Sequence, residues 1–200
     1  MTPFIRYITS MASVLLTACV ASDAALACAC CSNRASRYVA IEKLSGFRLG
    51  EIERMTFASD AFLADGAGDH PVEFQQIGTT FQLSVARTKS EIVFSFRGQA
   101  GRTTALTLAV PESISIFEID PRDGKDEGLG PVLYKEWRLT GNATATGALR
   151  PLLEKSRTVS LILHGRGRGC TEAADFTEWT LLIGGPSGGI TLYGSLTPAR

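Results

Sequence analysis

Apolar side chains recur at every second position through most of the chain. Phe81, Leu83 and Val85 alternate with Thr80, Gln82 and Ser84, and Ile92, Phe94 and Phe96 with Val93, Ser95 and Arg97. Leu106, Leu108 and Val110 continue the pattern until Pro111 stops it; Val159, Leu161 and Leu163, then Trp179, Leu181 and Ile183, repeat it. A period of two places one row of side chains on one face of an extended backbone, so each run predicts a short strand with a single buried face. Further strands are predicted over Arg37–Leu44, Ile52–Phe57, Ser113–Ile119, Val132–Thr140 and Ile190–Leu196.

The connections are short and rich in turn residues: Thr88-Lys89-Ser90, Gly98-Gln99-Ala100-Gly101, and the glycine-rich stretch Gly184–Gly189. Tight loops of this kind join antiparallel neighbours. The expected fold is all-β with little helix: a single-domain antiparallel β-sandwich, or alternatively a lipocalin-like closed β-barrel. A short helical turn is expected around Thr171–Asp175. Trp137, Trp179, Phe94 and Tyr193 fall on the alternating positions and are expected in the core.

The first 27 residues break this pattern. Arg6 precedes a mostly apolar stretch, Ile8 to Ala21, and Ala25-Leu26-Ala27 is an A-x-A cleavage site, the layout of a secretory signal peptide. The stretch falls short of the roughly 20 apolar residues that a membrane-spanning helix needs. The reading divides the chain into a signal peptide (1–27), a Cys-rich segment (28–36) and one β-rich domain (37–200). Leu16-Thr17-Ala18-Cys19 also resembles the lipobox of bacterial lipoproteins, so lipidation at Cys19, with attachment to a bacterial membrane, is the alternative.

Five cysteines occur: Cys19, Cys28, Cys30, Cys31 and Cys170. Cleavage removes Cys19 and lipidation blocks it, so either route leaves an even number of thiols in an oxidising compartment, which predicts two disulfides. Pairing Cys30 with Cys31 strains the ring, and pairing Cys28 with Cys30 is tight. Cys28–Cys31 with Cys30–Cys170 is the least strained set. In the alternative reading Cys28, Cys30, Cys31 and Cys170, with His164, hold Cu or Zn as soft ligands. The C-x-C-C spacing is not that of a zinc-finger pair, so the leading reading carries no cofactor.

Charge changes the picture little. Twenty Lys and Arg balance twenty Asp and Glu, giving zero formal net charge. Nucleic acid is therefore not an expected partner.

The remaining motifs have bland readings. Gly185-Pro186-Ser187-Gly188-Gly189 fits the G-x-S-x-G pattern, but a nucleophile elbow needs a following helix, and Ile190-Thr191-Leu192-Tyr193 reads as a strand. Gly165-Arg166-Gly167-Arg168-Gly169 lacks the G-K-[ST] of a P-loop and reads as a flexible loop. Its two guanidiniums suit a carboxylate or phosphate, which makes Arg166 and Arg168 the candidate ligand-binding pair. Asp120 to Gly128 lacks EF-hand spacing and reads as a solvated loop. Asp69-His70 and His164 have no nucleophile at suitable spacing. Asn142-Ala143-Thr144 fits a glycosylation acceptor in a eukaryotic secretory pathway.

The function expected from these features is an exported, non-enzymatic binding or interaction module, periplasmic or secreted, that recognises a protein or a small anionic ligand through loops at one end. A metal-handling protein is the alternative and a hydrolase with an unassembled site the third.

Overall fold

The computed structural model describes residues 35–65, 77–98, 101–122, 133–155, 157–185 and 188–197. Eleven strands form along it: β1 (Arg37–Lys43), β2 (Thr56–Phe57), β3 (Asp60–Asp65), β4 (Ile77–Arg87), β5 (Glu91–Arg97), β6 (Thr103–Ala109), β7 (Ser113–Ile119), β8 (Leu133–Ala145), β9 (Thr158–Gly167), β10 (Phe176–Gly185) and β11 (Gly188–Thr197). Two short helices interrupt them, α1 (Gly46–Arg54) and α2 (Arg150–Lys155).

Neighbouring strands are antiparallel, in the order β3-β4-β5-β6-β8-β9-β10-β11, and β11 pairs back onto β3. This is a closed eight-stranded barrel, the alternative of the two expected all-β architectures; the sandwich is not formed. Closure depends on β8, which is 13 residues long and changes partner along one edge. Tyr134–Arg138 pair with β7, and Ala143–Ala145 pair with β6. The other edge of β8 runs the length of β9, from Leu133↔Gly167 to Asn142↔Thr158. β7 and β1 therefore leave the wall as a two-stranded extension.

The alternation becomes an inside and an outside. Leu83, Phe94, Phe96, Leu106, Leu108, Leu161, Leu163, Trp179, Leu181 and Leu192 are buried in the core. Aromatic rings fill its middle: Phe94 lies 6.0 Å from Trp179 and 5.6 Å from Phe57, and Phe96 lies 6.1 Å from Phe81. Such burial is worth roughly 1.5–3 kcal/mol for each large side chain. A Cβ at Gly194 would lie 2.8 Å from the Asp60 carbonyl oxygen and 2.9 Å from the Trp179 indole, so glycine there is what admits both this close to β11.

Several local expectations are corrected. Tyr193 is half-buried on the outside, stacked 5.6 Å from Phe62, because it faces away from its inward neighbours Leu192 and Gly194. Ile52–Phe57 is not a strand: its first three residues end α1, and only Thr56 and Phe57 pair, with β11. Leu49, Ile52 and Met55 have helical spacing, and the Ser45 hydroxyl accepts from the Arg48 amide 3.3 Å away as the N-cap. The expected loop Gly165–Gly169 is half strand, since β9 runs through Gly167. The expected turn at Thr171–Asp175 is present as a 3-10 turn, Ala173–Asp175.

Among the described residues no helix is long and apolar enough to cross a membrane.

Candidate functional site

The barrel has two different ends. The strand ends Arg87, Ile119 and Gly167 lie toward one, where α1 is fastened through Arg87 and Ala173; the strand ends Asp65, Arg97 and Ala145 lie toward the other, beside α2.

The α1 end is a polar plug. Lys135, on the inward face of β8, is fully buried; its Nζ donates to an Asp175 carboxylate oxygen at 2.5 Å and to the Cys170 carbonyl at 2.8 Å. Glu51, 6% exposed on α1, accepts from the Ala173 amide at 2.6 Å and pairs with Arg54 at 2.6 Å. The loop between β9 and β10 is thus fastened to β8 and to α1. It also sits directly on β9: a Cβ on Gly165 would lie 2.0 Å from the Asp175 carbonyl oxygen, and one on Gly167 would lie 2.0 Å from the Asp175 carboxyl carbon. These glycines admit the 3-10 turn rather than confer mobility. Arg87 donates to the carbonyls of Ile52, at 2.6 Å, and Met55, closing the C-terminal end of α1. Half-buried Glu118 on β7 stands in the field of Lys135, Arg48 and Asp175; burial pushes its carboxyl up, against the opposing pull of the two cations and the Thr171 hydroxyl.

The α2 end is apolar and incompletely filled. A cavity of about 190 Å³ opens between the barrel and the α2 segment, lined by Leu63, Phe81, Phe96, Leu149, Leu152, Ile190 and Leu192 with Ala148 and Thr104. The Thr104 hydroxyl accepts from the Ala148 amide at 3.3 Å and is the one polar side chain of that lining among the described residues. The lining comes from β3, β4, β5, β6, β11 and the α2 segment, so no local stretch of sequence announces it.

The residues singled out from sequence lie elsewhere. Arg166 is exposed on the outer face of β9 opposite Tyr134, and Arg168 is exposed just beyond β9, both toward the α1 end. Burial, together with Glu136 and Glu178, pushes the Tyr134 hydroxyl up to about 12. His164 is not at a strand end: it lies within β9, between Glu136 of β8 and Glu178 of β10, with Nδ1 3.5 Å from the Glu178 carboxylate. Cys170 is exposed in the plug loop. Cys19, Cys28, Cys30, Cys31 and the Asp69-His70 pair lie outside the described residues, as does Ser187. Among the described residues no group of three His, Cys, Asp or Glu side chains is placed to hold a metal ion.

Gly188 and Gly189 open β11 rather than a helix, so the G-x-S-x-G stretch lacks the backbone a nucleophile elbow needs. Asp120 is not solvated as expected. It is buried, accepting from the Arg122 amide at 3.0 Å and pairing with the Arg122 guanidinium at 2.5 Å. Asn142 and Thr144 are exposed on β8.

No protein-family model, curated protein or solved structure matches the chain.

Proposed function

We propose that the protein is an exported, non-enzymatic binding module that takes a small apolar molecule at the α2 end of its barrel. The observation that carries this reading is the cavity of about 190 Å³ whose wall, among the described residues, is apolar but for the Thr104 hydroxyl. Its volume exceeds the roughly 150 Å³ of an engineered dry cavity that binds benzene. Small barrels either fill with side chains or hold one small ligand, and this barrel does the first in its middle and leaves room for the second at its end. Thr104 supplies one orienting hydrogen bond; affinity would come from burying apolar surface.

Export through residues 1–27 belongs to the same proposal, to the periplasm or beyond the cell, with lipidation at Cys19 as the membrane-bound variant. So does a disulfide staple, Cys30–Cys170 beside Cys28–Cys31. What supports the staple is that Cys170 is not a free thiol and lies in a loop otherwise fastened by Lys135 and Glu51. Arg166 and Arg168 stand toward the opposite end from the cavity and have no part in this ligand site.

Thermal unfolding of the exported chain with increasing benzene or cyclohexanol tests the proposal. A ligand at 100 times its Kd stabilises the folded state by about 2.7 kcal/mol, so a saturable rise in Tm is expected. Ala148→Phe, which places a ring over the cavity, should abolish the rise while leaving the β spectrum intact. No saturable rise with either compound, or an equal rise in Ala148→Phe, overturns the reading.

A further inference from the structure

We infer that the open edge of β1 is a docking site for an extended segment of another protein, with apolar residues at alternate positions flanked by carboxylates. The large hydrophobic side chains that are exposed among the described residues all fall in one ten-residue stretch: Tyr38 at 46%, Val39 at 61%, Ile41 at 78% and Phe47 at 65%. Scattered single apolar residues are ordinary on a surface, whereas a local cluster marks an interaction site.

β1, which carries Tyr38, Val39 and Ile41, also has a free edge among the described residues. It stands at the end of the strand order and, among the described residues, pairs only with β7. Its register fixes which backbone groups are spare. The Leu44 amide donates to the Glu112 carbonyl at 2.8 Å, and the Asp120 amide donates to the Ser36 carbonyl at 2.9 Å. Antiparallel pairing alternates between hydrogen-bonded and non-hydrogen-bonded pairs. Tyr38, Ala40 and Glu42 therefore turn their backbone groups toward β7, and Arg37, Val39, Ile41 and Lys43 turn theirs toward the open side. Those same four residues share the outer face of the extension, by the period of two. Backbone hydrogen bonds and apolar contacts are thus offered together, the combination used when an extended peptide adds a strand.

Charge selects the occupant. The outer row reads basic, apolar, apolar, basic, and neither Arg37 nor Lys43 has a carboxylate partner among the described residues; the Arg37 guanidinium lies over the Phe117 ring, 5.7 Å from its centroid. A second copy paired about a two-fold axis at Ala40 would set Arg37 opposite Lys43, and like charges directly opposite are destabilising. Carboxylates at the matching positions of a different chain meet both cations.

The test uses the exported chain and a labelled peptide, Asp-Thr-Val-Thr-Val-Thr-Asp, whose pattern is the same in either direction, followed by fluorescence anisotropy. Binding is expected, and at least tenfold weaker binding for the peptide with Lys in place of both Asp residues. Ile41→Pro removes one spare amide without touching the β7 bonds, a substitution edge strands tolerate, and should weaken binding at least tenfold. Arg37→Glu with Lys43→Glu should invert the preference between the two peptides. If Ile41→Pro loses its β spectrum, Ile41→Thr, which keeps the amide and removes the apolar contact, should still weaken binding several-fold. Failure of the acidic peptide to bind, equal binding of both peptides, or no loss with the Ile41 variants overturns the inference. A dimer seen by sedimentation and lost in Ile41→Pro also overturns it, assigning the edge to a second copy.

Discussion

Lys135 Nζ sits 2.5 Å from the Asp175 carboxylate, across the end of the barrel, with the lysine fully buried and the aspartate side chain 16% exposed. A buried ion pair of this kind is weak evidence of net stabilisation, because desolvation offsets much of the attraction. Its consequence is specificity of position: the plug loop has one place to sit. The Cys170 carbonyl, bonded to the same ammonium at 2.8 Å, is held in the same way.

Lys135→Met should therefore destabilise the protein by about 3–5 kcal/mol, the cost of leaving one partner of a buried pair uncompensated. The double variant Lys135→Met with Asp175→Asn keeps the cap on the Glu172 amide and removes the stranded charge, so it should recover much of that loss. Urea unfolding of the three proteins checks this. Equal losses in single and double variants would show that the pair does not act as a unit.

Glu118 gives a pH dependence of defined sign. Its folded value stands above the ordinary 4.5, chiefly through burial. The folded chain holds that proton more tightly than the unfolded one, so this contribution to stability is full below the unfolded value and is lost as pH rises through the raised folded value. Lys135, Arg48 and the Thr171 hydroxyl oppose the shift and Asp175 adds to it. Glu118→Gln should flatten this fall in stability above about pH 4.5, with the variant at least as stable as the parent near neutrality. The gain should be a fraction of a kcal/mol, since solvent screens a half-exposed group. Chemical unfolding across that pH range measures it; a variant less stable than the parent at neutral pH would contradict the assigned sign.

The sequence pattern locates the barrel strands other than β3, and leaves sandwich and closed barrel as alternatives for a definable reason. Phe81, Leu83 and Val85, or Trp179, Leu181 and Ile183, reveal one buried face by their spacing alone, and the structure places those faces inward. Nothing in that spacing says which strands meet. Closure depends on β8 exchanging β7 for β6 along one edge, between Arg138 and Ala143. Helix α1 was obscured by Gly46 and Gly50, two poor helix formers in a nine-residue segment. The cavity was illegible because Leu63, Phe96, Leu152 and Leu192 each look like ordinary core residues until the fold shows a space between them. The edge residues Val39 and Ile41 also fit a buried face by alternation, and they are exposed because, among the described residues, β1 has a strand on one side alone.

Gly165 distinguishes a packed strand from a flexible loop. A Cβ there would lie 2.0 Å from the Asp175 carbonyl oxygen and 2.9 Å from the Phe176 Cα, both backbone atoms that cannot swing away. Gly165→Ala should cost about 1–3 kcal/mol, the range for overpacking a close-packed site, and should loosen the plug loop. Gly50 on α1 has open space around its missing Cβ, so Gly50→Ala should instead be neutral or stabilising by up to about 1 kcal/mol. Thermal melts should show a lower Tm for Gly165→Ala and an unchanged or higher one for Gly50→Ala, and a tolerated Gly165→Ala would return the segment to a loop.

Cys170 provides the test of the proposed staple. A Cys30–Cys170 bond closes a loop of roughly 140 residues, which the chain-entropy model values at on the order of 4–5 kcal/mol, less any strain in the folded state. Cys170→Ser in the exported protein should therefore lower the Tm and liberate one thiol. Lys135 and Glu51 hold the same loop, so the folded barrel should survive the loss with its β spectrum unchanged. Titration of the parent under denaturing conditions without reductant should find no free thiol. The metal reading predicts four thiols in the mature chain, together with Cu or Zn released by a chelator. Four titratable thiols in exported parent protein would end the staple, and none would end the thiolate cluster.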